Sequence, residues 1–254
     1  MAAQTTRFRA RTIRASSLDL LTQLVRGRAP DGRDEDWGEL VEAGFCTAER
    51  ALRPRWARVL GGASRAPVGL RVDSRLGRSG MSSTLALTPG IGLSVTERRR
   101  LRVTDAHVEV EAVEDTVEIA LFDPRLVWPA VQRVLPPSAA VRAEGSAATA
   151  TDERTVGVIA EVPERTALPE SVLAALAGAD VEVNLALRVD NGTSTPFVTS
   201  RHWLEADDHR LLEVRLLRDE VTVVDVPHGT VADEVAWLAV GAFDLRRRVG
   251  QTAS

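Results

Sequence analysis

The chain has no lysine and no tyrosine, so its 32 cationic side chains are all arginine. A GC-rich genome produces such a bias, which points to a high-GC bacterium. The single cysteine, Cys46, excludes an intrachain disulfide and any multi-cysteine metal site, and it fits a reducing compartment. Four histidines in 254 residues leave no imidazole that stands out as catalytic. No run of about 18 apolar residues occurs, so no helical membrane span is expected. Arg7, Arg9, Arg11 and Arg14 open the chain without an apolar stretch behind them. They do not make a signal peptide, and residues 1–15 are expected as a loosely packed arm. A net charge of -4 and a pI near 5.7 argue against a general nucleic-acid binder. No Gly-Lys-Ser/Thr follows Gly61-Gly62, and Gly-x-Ser-x-Gly is absent, so neither a phosphate loop nor a nucleophile elbow is present.

The composition that remains, 44% hydrophobic and 27% charged, is that of a soluble globular protein with a sizeable core. Helical spacing of Leu18, Leu21, Leu24 and Val25 predicts a first helix capped by Ser17. Trp37, Leu40 and Val41 predict a second over 34–43, and Trp56, Val59 and Leu60 a third over 47–60, bent at Pro54. From Val68 the apolar period becomes two. Val68, Leu70 and Val72, then Leu85 and Leu87, then Ile91, Leu93 and Val95, then Val117, Ile119 and Leu121 read as antiparallel strands. Asp123-Pro124 predicts a helix start, with Val127, Val131 and Val134 on its inner stripe. Residues 138–155, rich in Ala, Ser and Thr, read as a linker. Beyond it come a strand near Val156–Val162, a helix over Leu168–Ala177 and an alternating run from Val181. A hairpin is expected at Asn191-Gly192 and another around Arg218-Asp219-Glu220. A last helix carries Val231, Val235, Leu238, Ala242 and Leu245 on one face.

Sliding the chain on itself uncovers a repeat. At an offset of 104, Glu109/Glu213, Val110/Val214, Asp115/Asp219, Val117/Val221, Val127/Val231 and Val131/Val235 coincide. Upstream, at an offset of 117, Leu70-Arg71-Val72-Asp73 recurs as Leu187-Arg188-Val189-Asp190. The two offsets differ by 13 residues, which predicts one lengthened hairpin within Leu76–Leu101. The fold class expected is α+β, with two pseudo-symmetric halves (16–137 and 156–254), each an antiparallel meander flanked by helices.

Candidate chemistry is sparse. His202, Asp207, Asp208 and His209 cluster in sequence, but Asp-Asp-His also makes an ordinary polar turn. His107, Glu109 and Glu111 share a strand face that reads as solvated. Arg98-Arg99-Arg100 reads as a charged edge that blocks misassociation. No catalytic set, metal or cofactor is expected.

Trp203-Leu204-Glu205-Ala206-Asp207-Asp208-His209-Arg210-Leu211-Leu212, followed by Val221-Thr222-Val223-Val224 and a closing helix, resembles the C-terminal strand-turn-strand of the EspG family. Val158-Ile159-Ala160-Glu161-Val162-Pro163 is similar to the strand that opens that family's second half. The match covers about 100 residues well and the rest by order of elements. Trp203 is not followed by Phe or Tyr, and His209 stands where the family has a small residue. The resemblance implies a cytoplasmic, non-enzymatic chaperone of actinobacterial type VII (ESX) secretion, built of two pseudo-symmetric α+β halves. Its partners would be secreted helical proteins (PE/PPE-like or WXG-like), with no nucleic acid and no membrane insertion. The residues expected to contact the partner are Phe197, Trp203, Leu204 and Phe243. Two further readings stand beside it: a small-molecule or enzyme site in the cleft between the halves, and a homodimer paired through exposed sheet faces.

Overall fold

The computed structural model describes residues 8–252 except 29, 105–107, 146–152, 160–178, 191, 193–194, 207 and 218–219. The helix expected over Leu168–Ala177 lies outside the described residues. So do His107, Asp207 and the middle of the expected linker.

Among the described residues, ten strands form one antiparallel sheet. They are β1 (Arg9–Arg14), β2 (Val68–Leu76), β3 (Ser79–Thr88), β4 (Ile91–Val103), β5 (Val108–Phe122), β6 (Arg154–Ile159), β7 (Val181–Val189), β8 (Phe197–Glu205), β9 (Leu211–Leu217) and β10 (Glu220–Val226). Their order across the sheet is β1-β5-β4-β3-β2-β7-β8-β9-β10-β6. Read from either edge inward, the chain first lays down an edge strand and later a four-strand meander that ends beside it. The two meanders meet at β2 and β7, where Leu70 sits opposite Leu187, Val68 opposite Val189 and Val72 opposite Leu185. All six are core residues. The pair that the offset of 117 matches in sequence is therefore a pair of direct neighbours on the seam.

Alternation along the strands sends side chains into separate layers. On one face, Leu70, Val72, Leu85, Phe122, Leu185, Leu187 and Trp203 form a central core. It is covered by α4 (Val127–Gln132), α5 (Ala139–Arg142) and α6 (Thr230–Thr252). Val127 and Val131 from α4 meet Val231 and Val235 from α6 in this core, so the matched stripes pack together. On the other face, Ile13, Ile119 and Leu121 form a second core under α1 (Ala15–Val25), α2 (Asp34–Glu42) and α3 (Pro54–Ala63). Leu204, Leu212 and Val223 form a smaller third cluster.

Several expectations are corrected here. Residues 9–14 are not a loose arm: they pair with β5 from Arg9↔Leu121 to Arg14↔Thr116 and bury Ile13. Pro54 does not bend a helix but begins one, since its missing N–H costs nothing at the first position. Ser17 is not the cap of α1. It is buried and hydrogen-bonds the carboxylates of Asp36 and Glu39 on α2. The linker's first residues are structured, because Ser138 caps α5 and Ala140 and Val141 enter the central core. Arg98–Arg100 lie inside the sheet, between β3 and β5. The hairpin at Asn191-Gly192 is wider than two residues, as β7 ends at Val189 and β8 begins at Phe197. The repeat also needs adjustment. Glu109 and Val110 lie on β5 but Glu213 and Val214 on β9, so those two identities do not fall on matching strands. The long hairpin is β4–β5, whose ladder continues past Arg99↔Val113 to Val103↔Val108. That places it largely beyond Leu101 rather than before it.

Candidate functional site

β8 organises a polar concavity. Its ladder with β7 is complete, from Phe197↔Val189 to Glu205↔Val181. Its ladder with β9 covers only His202↔Val214 through Glu205↔Leu211. Where that second ladder stops, a cavity of about 730 Å³ opens, lined by Asp73, Asn184, Ser200, Arg201, His202, Glu213, Arg215 and Glu234. Local sequence explains the lining. Arg201 and Glu213 continue the face of Trp203 and Leu211 toward the open end of the ladder, and Glu213 is buried there. Glu234 comes down from α6.

The charges there are matched but crowded. Arg215 grips Glu153 with two bonds of 2.9 Å and Glu213 at 2.7 Å. Those two carboxylates, Glu153 foremost, hold the Arg215 guanidinium further above its usual range. Arg201 Nε lies 3.8 Å from Glu213 and 3.3 Å from Glu234. The Glu234 contact is a charge contact only, since its buried Oε2 has no aligned donor. Burial pushes the Glu234 carboxyl up, and the opposing pull of Arg201 does not cancel it. On the opposite face, His202 Nε2 is 3.1 Å from Glu182 Oε1, again without hydrogen-bond alignment. Arg75 and Asn184 donate to the same carboxylate, each at 3.0 Å. Contact with His202 first, and then with Arg75, outweighs burial and holds the Glu182 carboxyl at about 2.

Nucleophilic chemistry is not assembled among the described residues. Ser138 and His209 both bond Glu205, the latter at 2.7 Å. The acid therefore bridges hydroxyl and imidazole, whereas activation needs the imidazole in the middle. Cys46 is buried, and burial pushes its thiol up. His202 and His209 pair with different glutamates, and no group of three potential metal ligands occurs among the described residues.

The expected partner-contact residues divide. Phe197 is exposed at 47%. Trp203 is fully buried and Leu204 nearly so, which corrects the expectation that they lie near the surface. The period of two sends Trp203 into the central core and Leu204 into the third cluster. Phe243 is half-buried against the central core. Sequence reasoning missed the most exposed apolar helix face. Trp237 and Val240 of α6 are 66% and 64% exposed, with the exposed Ala236 and Gly241 beside them. The signal was available: both fall off the stripe of Val231, Val235, Leu238 and Ala242. Val198 on β8, and Val108, Val110 and Val113 on the β5 arm, are exposed as well.

No family model and no curated protein matches the chain. Among solved structures, an N-terminal dehydratase from the difficidin assembly line aligns over 91% of this chain and 97% of its own. The identity is 9% and the TM-score 0.14, values that carry no argument about fold or function.

Proposed function

We propose that this protein is a non-enzymatic chaperone that holds a secreted helical protein in solution, as the resemblance to EspG-type chaperones of type VII secretion implies. In this reading it works in the cytoplasm without a cofactor, and its two halves are pseudo-symmetric copies of one unit. The observation that carries the partner-binding reading is the outer face of α6. Trp237 and Val240 stand one turn apart on a helix whose other side is core. The small Ala236 and Gly241 flank them, and such a surface lets a second helix approach closely. Leaving an indole in water forgoes on the order of 2 kcal/mol of burial, which favours covering it with a partner. Support for the duplicated unit is the equal strand order from each edge, the Leu70–Leu187 seam and the paired valines of α4 and α6. The test is co-expression with small helical proteins encoded beside it, followed by size-exclusion chromatography. Co-elution of at least one is expected, and failure of every neighbour to co-elute would sink the reading.

One observation favours a second reading, a small polar ligand, in a cavity that lies in the second half and meets the first at Asp73. The 730 Å³ cavity contains His202, and Glu182 provides its carboxylate contact. A metabolite that stabilises the wild type against heat but not His202→Ala would favour this reading over the first.

A further inference from the structure

β1 carries arginine where its neighbours carry core. Arg9 is opposite Leu121, Arg11 opposite Ile119 and Ile13 opposite Val117. Ile13, Ile119 and Leu121 belong to the core under α1–α3. Alternation puts Arg9 and Arg11 on that same face, along the strand from Ile13. There a concavity of about 490 Å³ opens between β1, the residues that follow α2 and the start of α3. Arg53 and Arg55 line it from the far side, together with Thr47 and Trp56. Four arginines thus line one concavity, and no carboxylate lines it.

Their charges are not spent elsewhere. Arg9, Arg11 and Arg55 form no ion pair among the described residues. Arg53 gives Nε to the Cys46 carbonyl at 3.0 Å, which leaves its terminal nitrogens free of any described partner. Glu49, fully exposed, is felt by Arg53 through space but does not line the cavity. The contrast with adjacent residues is direct. Arg14 is matched by Glu35 and Glu39, and Arg33 by Asp19 and Asp36. A chain with a net charge of -4 has carboxylates enough to do the same here. The helix end adds to the imbalance. α3 starts without a side-chain cap and without an acid in its first turn. Its free N–H groups make that end positive, so cations beside it have the wrong sign for stability. An anion would reverse both penalties.

We propose that this concavity binds a compact polyanion with adjacent phosphates: a pyrophosphate moiety, free or carried by a nucleoside diphosphate. Guanidinium forks match phosphate oxygens two at a time, and the N–H groups of α3 add further donors. The Trp56 ring, packed at 4.4 Å on Phe45, lines the same concavity and is the surface on which a nucleobase would stack. This site is separate from the α6 surface, and its test does not depend on the partner protein.

Isothermal titration calorimetry of the full chain at low salt, with inorganic pyrophosphate, ADP and adenosine as probes, tests it. Pyrophosphate is expected to bind with a Kd on the order of 10–100 µM, and to weaken steeply as salt rises. Adenosine is expected not to bind. ADP binding tighter than pyrophosphate assigns a nucleotide, and ADP binding equal to or weaker than it assigns the free anion. Arg11→Gln/Arg55→Gln should weaken pyrophosphate at least about tenfold while the melting temperature holds. If that variant does not fold, Arg9→Gln, at an exposed position, replaces it. No binding of pyrophosphate or ADP at about 1 mM, or equal affinity in a folded variant, overturns the proposal.

Discussion

Glu182 shows what a single side chain contributes at the seam of the sheet. Its carboxyl, ordinarily near 4.5, is held at about 2 by His202 and Arg75. A depressed carboxylate stabilises the fold above its unfolded pKa, and that stability is lost as pH falls toward the folded value. The contribution is on the order of 2–3 kcal/mol. Glu182→Gln should therefore be less stable than the wild type at pH 6, and the gap should close between pH 4.5 and 2. Urea unfolding across that range checks it, and a gap independent of pH would contradict it. Gly92 makes a different demand. It pairs with Phe122, and a Cβ there would fall 2.4 Å from the phenyl ring, which Phe8 stacks upon from 6.0 Å. Gly92→Ala should cost about 1–3 kcal/mol by overpacking, read as a lower urea midpoint at unchanged slope. This scale was the least legible in the sequence. Trp203 and Trp237 look alike in a string of letters, but one is wholly buried and the other two-thirds exposed. Strand period and neighbouring register decide the first, and helix phase decides the second.

Elements were more legible, because periodicity reports the face that is buried. The alternating valines of β2 and β7 lie in core as expected, and so does the stripe of α6, but on β5 Val117 is buried while Val108, Val110 and Val113 are exposed. What the periodicity did not carry was pairing over distance. The strand β1 has one apolar inward residue, Ile13, and only its ladder with β5 makes it a strand. Length also misled: a helix over 47–60 competes with the loop closed by the Cys46↔Leu52 bridge, and Pro54 settles the start. The contact of α4 with α6 has a consequence for cooperativity. Val131 and Val235 share one core with β2, β3, β7 and β8, which spans both meanders. Val235→Asp should cost on the order of 3–5 kcal/mol as a buried unpaired charge. It should lower the stability of the whole molecule in one transition. Two separated transitions by circular dichroism, with the first half unaffected, would show that the halves are independent.

At the scale of the molecule, the α+β class and the antiparallel meanders were readable from the sequence, and the single ten-stranded sheet was not. Strand periodicity does not say how the edges of two meanders meet. Here they meet at β2 and β7, which leaves β1 and β6 as the outer edges. That joining buries the apolar residues of β2 and β7 in one core and leaves α6 to present Trp237 outward. The proposal of a chaperone rests on that outward face and on the resemblance of β8–β10 to the EspG family. The most direct measurement is the affinity of the purified pair, once a co-eluting helical partner is in hand, for the wild type and for Trp237→Ser/Val240→Ser. Both positions are exposed, so the variant should keep its melting temperature. The account predicts a loss of affinity of at least about 30-fold, on the order of 2 kcal/mol of buried apolar surface. An unchanged affinity in the folded variant would contradict it.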